Sequence, residues 1–374
     1  MRQAFERFLD RNFLGRRKFL SATGLAACSL TLAIACSSPN APTAVEESTT
    51  DSEAATEVAS EPTADMPKVR VGFQTGDINN ITMVAYNEGY FEEAGLDVEL
   101  SPYSSGGAMV PALAAGEVDI TWFFPFPSLT AYATGIDIEV VLLDHAPLTA
   151  ERLIAGDSAP DVTSLTGKTI GVTIGTSGHH SLLAALDQAG IAQDEVTLVN
   201  LKPSEMAAAY SAGQIDAAWT WEPAAGKLNE LGGTDIATAK SVGAYAVALW
   251  AVRTEFAEEN PEVMRRFMEA WDMAQQDYLD DPASGQKWEA ERLNLTAEEF
   301  GAMVGRQGST VITMEDQLSD DWLGTPGQPE ATDLYQAYEE YAVFLVDQGR
   351  LDSAPDDLAP LINSSYVADY LESK

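Results

Sequence analysis

The fold is decided by a phrase that the chain uses twice. It reads Ala114-Ala115-Gly116-Glu117-Val118-Asp119-Ile120-Thr121-Trp122 and later Ser211-Ala212-Gly213-Gln214-Ile215-Asp216-Ala217-Ala218-Trp219. In both copies a glycine closes a helical stretch, an aspartate opens an apolar one, and a tryptophan follows the aspartate at the same spacing. Glycine at a helix C-terminus adopts the left-handed conformation cheaply, so part of the match is a folding requirement. The repeated tryptophans go beyond that requirement and predict two similar halves.

Short apolar strands alternate with amphipathic helices on both sides of each copy. The pattern predicts strands at 69–73, 97–100 and 119–122 with helices at 83–94 and 108–115, then strands at 170–174, 196–201 and 216–219 with helices at 180–190 and 204–212. A strand at 245–252 and helices at 261–279, 297–305 and 332–348 follow. Such alternation is typical of parallel sheets in an α/β protein. Open α/β sheets bind ligands at the carboxyl ends of their strands, so we expect two lobes that face each other across a cleft.

The bulk composition limits the class of protein. The chain has 374 residues, of which 45% are hydrophobic, enough for two domains with substantial cores. It carries 21 Lys+Arg against 58 Asp+Glu, a net charge of -37. A surface that acidic repels nucleic acid, so no nucleic-acid partner is expected. We expect a monomer whose partner is a small molecule.

The N-terminal segment has the layout of an export signal. Residues 1–36 join a basic start that contains Arg16-Arg17, which resembles a twin-arginine motif, to an apolar run that ends at Cys36. Ala33-Ile34-Ala35-Cys36 resembles a bacterial lipobox, so Cys36 is the expected lipidation site; Cys28 is the alternative, and general export remains open. Residues 37–67 are rich in Ser, Thr, Pro and acidic residues and are predicted to be a disordered tether. A membrane-tethered protein of the periplasm or cell surface follows.

Enzymatic signatures are missing from the sequence. There is no G-x-G-x-x-G, H-E-x-x-H or G-x-S-x-G motif, and the only histidines are His145, His179 and His180. Neighbouring histidines on one helix point in different directions and make a poor metal pair. Both cysteines lie within the signal segment. We therefore expect no enzymatic activity, no cofactor and no metal site.

Three loops after strands have the composition of anion-binding sites. Gly175-Thr176-Ser177-Gly178-His179-His180 leads from a strand into a helix, where Thr or Ser can cap the first N–H groups and the helix dipole favours an anion. Ser104-Ser105-Gly106 occupies the corresponding place in the first half, and Gln74-Thr75-Gly76-Asp77 follows the first strand. An ordinary helix cap explains each segment equally well on its own.

Aromatic residues gather where the repeated strands end. Trp122, Phe124 and Phe126 follow one strand, and Trp219 and Trp221 follow the other, next to Glu222. A carboxylate among aromatic faces suits an ammonium group, so an anion site opposite Glu222 would accommodate a small zwitterion. The expected ligand-binding residues are Gln74, Thr75, Asp77, Ser104, Ser105, Gly106, Trp122, Phe124, Phe126, Thr176, Ser177, Gly178, His179, His180, Trp219, Trp221 and Glu222. Arg253 is expected to form a structural ion pair, and the orientation of Arg152 stays open.

Several of these segments resemble the taurine, nitrate and aliphatic-sulfonate family of periplasmic solute-binding proteins, especially its taurine-binding members. The resemblance rests on Ser105-Gly106-Gly107, Gly178-His179-His180-Ser181-Leu182-Leu183, Val199-Asn200-Leu201-Lys202-Pro203 and Gln214-Ile215-Asp216-Ala217-Ala218-Trp219-Thr220-Trp221-Glu222-Pro223. It covers residues 69–349 and implies a type II periplasmic-binding-protein fold. Its lobe 1 would be residues 68–145 plus 245–374, and its lobe 2 residues 146–244. It also implies that an ABC permease and its ATPase take up the ligand.

The chain departs from that family's pattern at the ligand itself. Pro125 and Phe126 stand where the pattern has small serines, and Ala248 stands where it has an aspartate. Glu222 replaces a small residue and is a candidate substitute for the lost carboxylate. Taurine or a related small sulfonate is therefore the expected ligand, with a bulkier sulfonate favoured by Phe126. The alternatives are a pyrimidine precursor or nitrate on the same fold, or an exported enzyme that uses Glu222 as a base.

Overall fold

A computed structural model describes residues 66–75, 80–147 and 149–374 of the chain. The export signal, residues 37–65 of the predicted tether and both cysteines, including the predicted lipidation site Cys36, lie outside the described residues, and so does Asp77. Within the described ranges, none of the helices combines the length and the apolar character that a membrane crossing needs.

The strands of the described part alternate with helices, as the sequence predicts. The strands are β1 (Lys68–Gln74), β2 (Asp97–Tyr103), β3 (Ile120–Phe123), β4 (Ile138–Leu143), β5 (His145–Pro147), β6 (Arg152–Ala155), β7 (Thr169–Val172), β8 (Thr197–Asn200), β9 (Ala217–Thr220), β10 (Thr234–Thr238), β11 (Leu249–Arg253) and β12 (Ser309–Val311).

The last third of the chain is mostly helical. They are α1 (Asn80–Asn87), α2 (Tyr90–Glu93), α3 (Gly106–Ala114), α4 (Pro125–Ala133), α5 (Ser177–Gln188), α6 (Pro203–Ser211), α7 (Ala224–Glu230), α8 (Thr254–Glu259), α9 (Pro261–Asp280), α10 (Pro282–Leu293), α11 (Ala297–Gln307), α12 (Asp333–Asp347) and α13 (Ser365–Ser373).

Two five-stranded sheets share one topology. Sheet 1 has the order β2-β1-β3-β11-β4, and sheet 2, read from its matching edge, has the order β8-β7-β9-β6-β10. In sheet 1 the strand β11 is antiparallel to its neighbours, and in sheet 2 the strand β6 is. β6 is the first strand that the chain forms in sheet 2 after leaving sheet 1, and β11 is the strand with which it returns to sheet 1. The chain therefore crosses between the sheets twice, which confirms the predicted α/β fold with two similar halves.

The repeated phrase ties the third strand of each half to the first. Asp119 Oδ2 accepts a hydrogen bond from the backbone N–H of Arg70 at 3.0 Å, and Asp216 Oδ2 accepts one from the backbone N–H of Thr169 at 2.9 Å. The glycines of the two copies, Gly116 and Gly213, have φ values of 67° and 66°. The shared glycine and aspartate thus have the structural roles that the sequence predicts for them.

The C-terminal helices pack into the core of the first half. α9 and α12 contribute Phe267, Trp271, Tyr338 and Tyr341 to the same hydrophobic core as β1 and β3. The side chain of Trp250 lies 5.4 Å from Phe267, measured between ring centroids. The division into lobes at 145/146 and 244/245 stays a prediction.

Two of the predicted elements have the wrong extent. The predicted helix 83–94 is two helices, α1 and α2, because Gly89 adopts a left-handed φ of 85° that interrupts the helix. The predicted strand 245–252 begins only at Leu249, and the preceding Ala248 still exchanges backbone hydrogen bonds with Asp144 and His145. The remaining predicted helices and strands are confirmed, with their ends shifted by a few residues.

Candidate functional site

The two predicted loops of the first half meet each other. The backbone N–H of Gly106 donates to Gln74 Oε1 at 2.7 Å, and Ser105 Oγ accepts from the N–H of Ala108 at 3.2 Å, so Ser105 caps α3. A side chain at position 106 would lie 2.5 Å from Pro127 Cγ, which explains the glycine. Ser104, Ser105 and Thr75 are exposed. These loops form a polar rim at the carboxyl end of β1 and β2, and the anion-binding role expected for them stays a prediction.

The third predicted loop caps α5. Thr176 Oγ1 accepts from the N–H of His179 at 3.4 Å and donates to the carbonyl of Thr173 at 2.7 Å. The N–H of Gly175 donates to His179 Nδ1 at 3.3 Å. A side chain at Gly178 would come within 2.9 Å of Trp219 Cδ1, so glycine is needed for the helix to lie against β9. The N-cap prediction for this segment is confirmed.

An aromatic cluster joins the two halves. Phe126 of α4 lies 4.3 Å from Tyr341 and 6.1 Å from His180 between ring centroids. Phe344 lies 5.1 Å from His180 and 5.4 Å from His179. We call Phe126, His179, His180, Tyr341 and Phe344 the inter-sheet cluster. Sequence analysis missed Tyr341 and Phe344, because on a helix with regular apolar spacing they look like ordinary core residues.

Glu151 is a second residue that sequence analysis missed. It immediately precedes β6, and its Oε1 accepts a hydrogen bond from Ser177 Oγ at 2.5 Å. Its other carboxyl oxygen, Oε2, is inaccessible to solvent and has no hydrogen-bond partner. Burial raises the pKa of Glu151, although the Ser177 hydroxyl and the nearby Trp219 indole N–H oppose this effect. No local pattern marks a single acid at a strand entrance, so only the tertiary structure identifies it.

Buried polar atoms without partners concentrate around α5 and β9. The described residues contain ten such side-chain atoms, and half of them lie here: Glu151 Oε2, His179 Nε2, His180 Nδ1, Trp219 Nε1 and Thr220 Oγ1. Native proteins pair nearly all of their buried polar groups. A local group of unpaired donors and acceptors is therefore the property of a surface built to contact a polar ligand.

Both histidines of this region are neutral at physiological pH. Burial lowers the pKa of His179 to about 4, and the nearby Arg350 adds to the effect. Burial likewise lowers the pKa of His180 to about 4, with a smaller contribution from His179. Since His179 Nδ1 accepts from Gly175, its unpaired Nε2 carries the proton. The site therefore presents neutral imidazoles next to a buried carboxyl group.

Glu222 is already engaged by two arginines. Its Oε1 accepts from Arg152 Nη2 at 2.7 Å and from Arg306 Nε at 2.8 Å, and its Oε2 accepts from the N–H of Gly226 at 3.1 Å. Burial favours the protonated form of Glu222, but the hydrogen bonds from both arginines outweigh it and lower the net pKa. The expectation that Glu222 receives an ammonium group finds no support in this geometry, because both of its oxygens have partners.

The other expected residues divide between core and rim. Trp122 Nε1 donates to the buried Asp144 Oδ2 at 2.8 Å, and Phe124 packs edge-on against Trp122 at 5.3 Å between ring centroids. Trp221 is half-buried at the end of β9. Arg253 lies 3.7 Å from Asp119 and 3.0 Å from Glu255, which confirms the predicted ion pair. In the part of the chain that the structure describes, no three His, Cys, Asp or Glu side chains are grouped to hold a metal ion.

Two sheets of one topology, crossed twice by the chain and joined by a polar and aromatic cluster, define a two-lobed α/β ligand-binding protein. The family described as "NMT1/THI5 like" matches residues 80–284. The taurine-binding periplasmic protein of Escherichia coli K12 is 32% identical over 285 residues, which is 74% of this chain and 86% of that protein. The chain belongs to the NMT1/THI5-like family.

Solved structures confirm the fold. The periplasmic aliphatic sulphonate binding protein SsuA from Escherichia coli superposes with a TM-score of 0.67 at 20% identity, over 79% of this chain and 91% of that one. The alkanesulfonate-binding protein SsuA from Xanthomonas axonopodis pv. citri, bound to MOPS, has a TM-score of 0.61 at 21% identity over 83% and 99% of the two chains. At these identities the likeness establishes the predicted periplasmic-binding-protein fold.

The same fold also carries enzymes. The desulfurization enzyme DSZB superposes with a TM-score of 0.62 at 15% identity, over 82% of this chain and 99% of that one. Fold alone therefore does not separate binding from catalysis. The Escherichia coli relative that is 32% identical in sequence is a binding protein.

Proposed function

We propose that this protein is the extracytoplasmic solute-binding component of an ABC importer, and that it captures taurine or another small sulfonate between its two sheets. The observation that carries the proposal is the group of unpaired buried polar atoms where the two halves meet. The similarity to a periplasmic taurine-binding protein supports the ligand class. Export through the N-terminal signal, lipidation at Cys36, delivery to a permease with its ATPase and a monomeric state belong to the same proposal.

Local charge favours the loops of sheet 1 as the sulfonate site. The N-terminus of α5 already has the carboxyl group of Glu151 beside Ser177. A second anion there would be repelled whenever Glu151 is ionised. At the rim formed by Gln74, Ser104, Ser105 and Gly106, the N–H of Gly106 donates to Gln74 Oε1 and Ser105 caps α3. Hydroxyl and N–H donors at the start of α3 suit a sulfonate oxygen.

The two halves close on the ligand, because each half contributes residues to the inter-sheet cluster. Phe126 comes from the sheet 1 side and the histidines from the sheet 2 side, so a ligand between them contacts both. Arg350, which follows α12, donates to the carbonyl of Ile174 at 3.1 Å and links the C-terminal region to the α5 loop. A ligand with contacts on both halves stabilises the closed form, which is how hinged binding proteins respond to ligand.

Calorimetric titration of the full chain tests the ligand class. The titrants are taurine, alkanesulfonates of increasing length, nitrate and an aminopyrimidine, and product formation is monitored in parallel. We expect one-to-one binding of sulfonates without turnover, and ligand at 100 times its dissociation constant should add about 2.7 kcal/mol to the free energy of unfolding. Binding of nitrate or the aminopyrimidine alone would reject the sulfonate assignment, and turnover would reassign the protein to the enzymes of this fold.

A further inference from the structure

The start of α4 differs in chemistry from the start of α3. Its first and third residues are Pro125 and Pro127, so Phe126 provides the only backbone N–H among the first three positions of the helix. Phe124 at the N-cap has no side-chain oxygen that could form a polar contact. α3 begins instead with two glycines and the cap of Ser105. The start of α4 is therefore an apolar surface, which offers few donors to a sulfonate.

The ring of Phe126 occupies space where the two halves meet. The residue is only 4% exposed. Its ring centroid lies 4.3 Å from that of Tyr341, 5.8 Å from Phe344 and 6.1 Å from His180. Aromatic rings pack at centroid distances of about 4.5–7 Å, so rings of α5 and α12 already surround it. The ring fills volume and leaves little surface for stacking, and the expectation that Phe126 favours a bulkier sulfonate finds no support in this geometry.

A buried hydrogen bond holds α4 against α12. Ser128 Oγ lies 2.7 Å from the hydroxyl oxygen of Tyr338, and both residues are inaccessible to solvent. Tyr341, one turn further along α12, donates its hydroxyl proton to the backbone carbonyl of Tyr245. The backbone of α4 and the ring of Tyr341 are both fixed by these contacts. The side chain of Phe126 would therefore have to leave a close-packed position to admit a longer ligand.

Phe126 also borders the polar rim of sheet 1. A side chain at position 106 would lie 2.5 Å from Pro127 Cγ, so the start of α3 packs directly against the residue that follows Phe126. On the sheet 2 side the ring contacts His180 of α5. A ligand that has its sulfonate at the rim and extends toward α5 therefore meets the ring of Phe126.

We propose that Phe126 limits the length of the ligand, because its ring occupies the volume that the carbon chain of a longer sulfonate would need. The proposal rests on the proposed function and adds the size class of the ligand, which is a sulfonate with a short carbon chain. The small residue that the family pattern has at this position would leave the same volume open.

The alternative role for Phe126, a surface on which the ligand stacks, has the opposite signature. If the ring left its neighbours and stacked on the ligand, its removal would weaken the binding of every sulfonate. If the ring fills the site, its removal leaves the binding of short sulfonates nearly unchanged and admits longer ones. The dependence of affinity on chain length therefore distinguishes the two roles.

The test is titration calorimetry of the full chain with straight-chain alkanesulfonates, from ethanesulfonate to octanesulfonate, for the unmodified protein and for Phe126→Ala. We expect the unmodified protein to bind the short members most tightly and to lose affinity as the chain lengthens. In Phe126→Ala the optimum should move to longer chains, because an apolar cavity accepts hydrocarbon and each newly buried methylene group tightens binding about fourfold. The affinity for ethanesulfonate should change by less than the effect of one methylene group, about fourfold.

Two further variants separate the length limit from a general loss of packing. Phe126→Leu is the milder substitution, and it should move the optimum in the same direction by a smaller amount. Phe91→Ala is the matched control, because Phe91 is 2% exposed and packs on Phe267 at 5.7 Å between ring centroids, outside the inter-sheet cluster. It should lower the melting temperature and leave the preferred chain length unchanged.

The outcomes separate failure of this assignment from failure of the proposed function. The same length optimum in the unmodified protein and in both Phe126 variants would overturn the length limit and leave sulfonate binding intact. A loss of affinity for all chain lengths in Phe126→Ala, without such a loss in Phe91→Ala, would overturn it as well and assign Phe126 to stacking. No binding of any sulfonate by the unmodified protein would reject the proposed function together with the length limit.

Discussion

Individual residues differ in how visible their roles are in the sequence. The cap at Thr176 follows from loop composition, because its partner, the N–H of His179, lies three residues away. Glu222 was recognised as an unusual acid, but its partners Arg152 and Arg306 are 70 and 84 residues away in the chain. Glu151 gave no signal at all. Roles fixed by short-range hydrogen bonds are readable in advance, and roles fixed by burial are not.

The ion pairs of Glu222 lead to a stability prediction. Glu222→Gln leaves Arg152, which is 2% exposed, with only the more distant Asp235 as a counter-charge. Because removal of one partner strands a buried charge, we expect the free energy of unfolding to fall by about 3 kcal/mol, measured by urea denaturation. The ratio of the affinities for taurine and for 2-hydroxyethanesulfonate, which lacks the ammonium group, should not change.

Glu255→Gln is the control for that experiment. Glu255 pairs with Arg253 but is 72% exposed, so its loss should cost less than about 1 kcal/mol. A loss for Glu222→Gln as small as that of the control would show that its arginine pairs are energetically unimportant. A selective loss of taurine binding would return Glu222 to the role that the sequence first suggested.

The elements of the two halves were predictable because each follows from local periodicity. Helix and strand positions came from apolar spacing, and the matching topology came from the repeated phrase. The return crossing does not follow from local periodicity, because β11 lies in a sheet whose other strands all come from residues 68–143. Only the family resemblance assigns residues 245–374 to the first lobe. The break at Gly89 was missed as well, because a glycine in an amphipathic pattern is compatible with a continuous helix.

The repeated phrase predicts unequal costs for equivalent substitutions. Asp119 is buried and accepts hydrogen bonds from the backbone N–H and the guanidinium group of Arg70, with Arg253 3.7 Å away. Asp216 is 37% exposed and accepts from Thr169, with Lys168 at 3.9 Å. We expect Asp119→Ala to lower the free energy of unfolding by about 3 kcal/mol and Asp216→Ala by about 1 kcal/mol. Urea denaturation of the two variants measures both, and equal losses would show that burial does not separate the two copies.

At the scale of the whole molecule, the site exists only because the halves meet. The inter-sheet cluster takes its residues from three separate helices: Phe126 from α4, the two histidines from α5 and Tyr341 from α12. The sequence around any one of these residues does not show that they meet. Two consequences follow from placing neutral imidazoles at the junction. The aromatic contacts do not require charge on the histidines, and protonation of either histidine would put an unpaired cation into a buried cluster.

The buried histidines therefore make the stability of the free protein depend on pH. The pKa of His180 is about 4 in the folded protein and close to its usual value near 6.5 when unfolded, so the unfolded chain binds more protons in this range. Stability from this residue is complete above about pH 6.5 and is lost as pH falls toward 4. Between pH 7 and pH 5 the loss is about 2 kcal/mol for His180, and His179 adds a loss of the same sign.

Glu151 changes the free energy of unfolding with pH in the opposite direction to the histidines, so the measurement has to compare variants. Because its pKa is raised in the folded protein, the contribution of Glu151 to stability is present at low pH and is lost as pH rises through that pKa. In the unmodified protein the histidines and Glu151 therefore affect the pH dependence of the unfolding free energy in opposite directions. Variants of each residue are needed to separate the two contributions. We expect His180→Phe, which keeps the ring contacts with Tyr341 and Phe344, to reduce the loss of unfolding free energy between pH 7 and pH 5 by about 2 kcal/mol. Glu151→Gln should steepen that loss, and parallel profiles for all three proteins would mean that the junction does not control the acid stability of the fold.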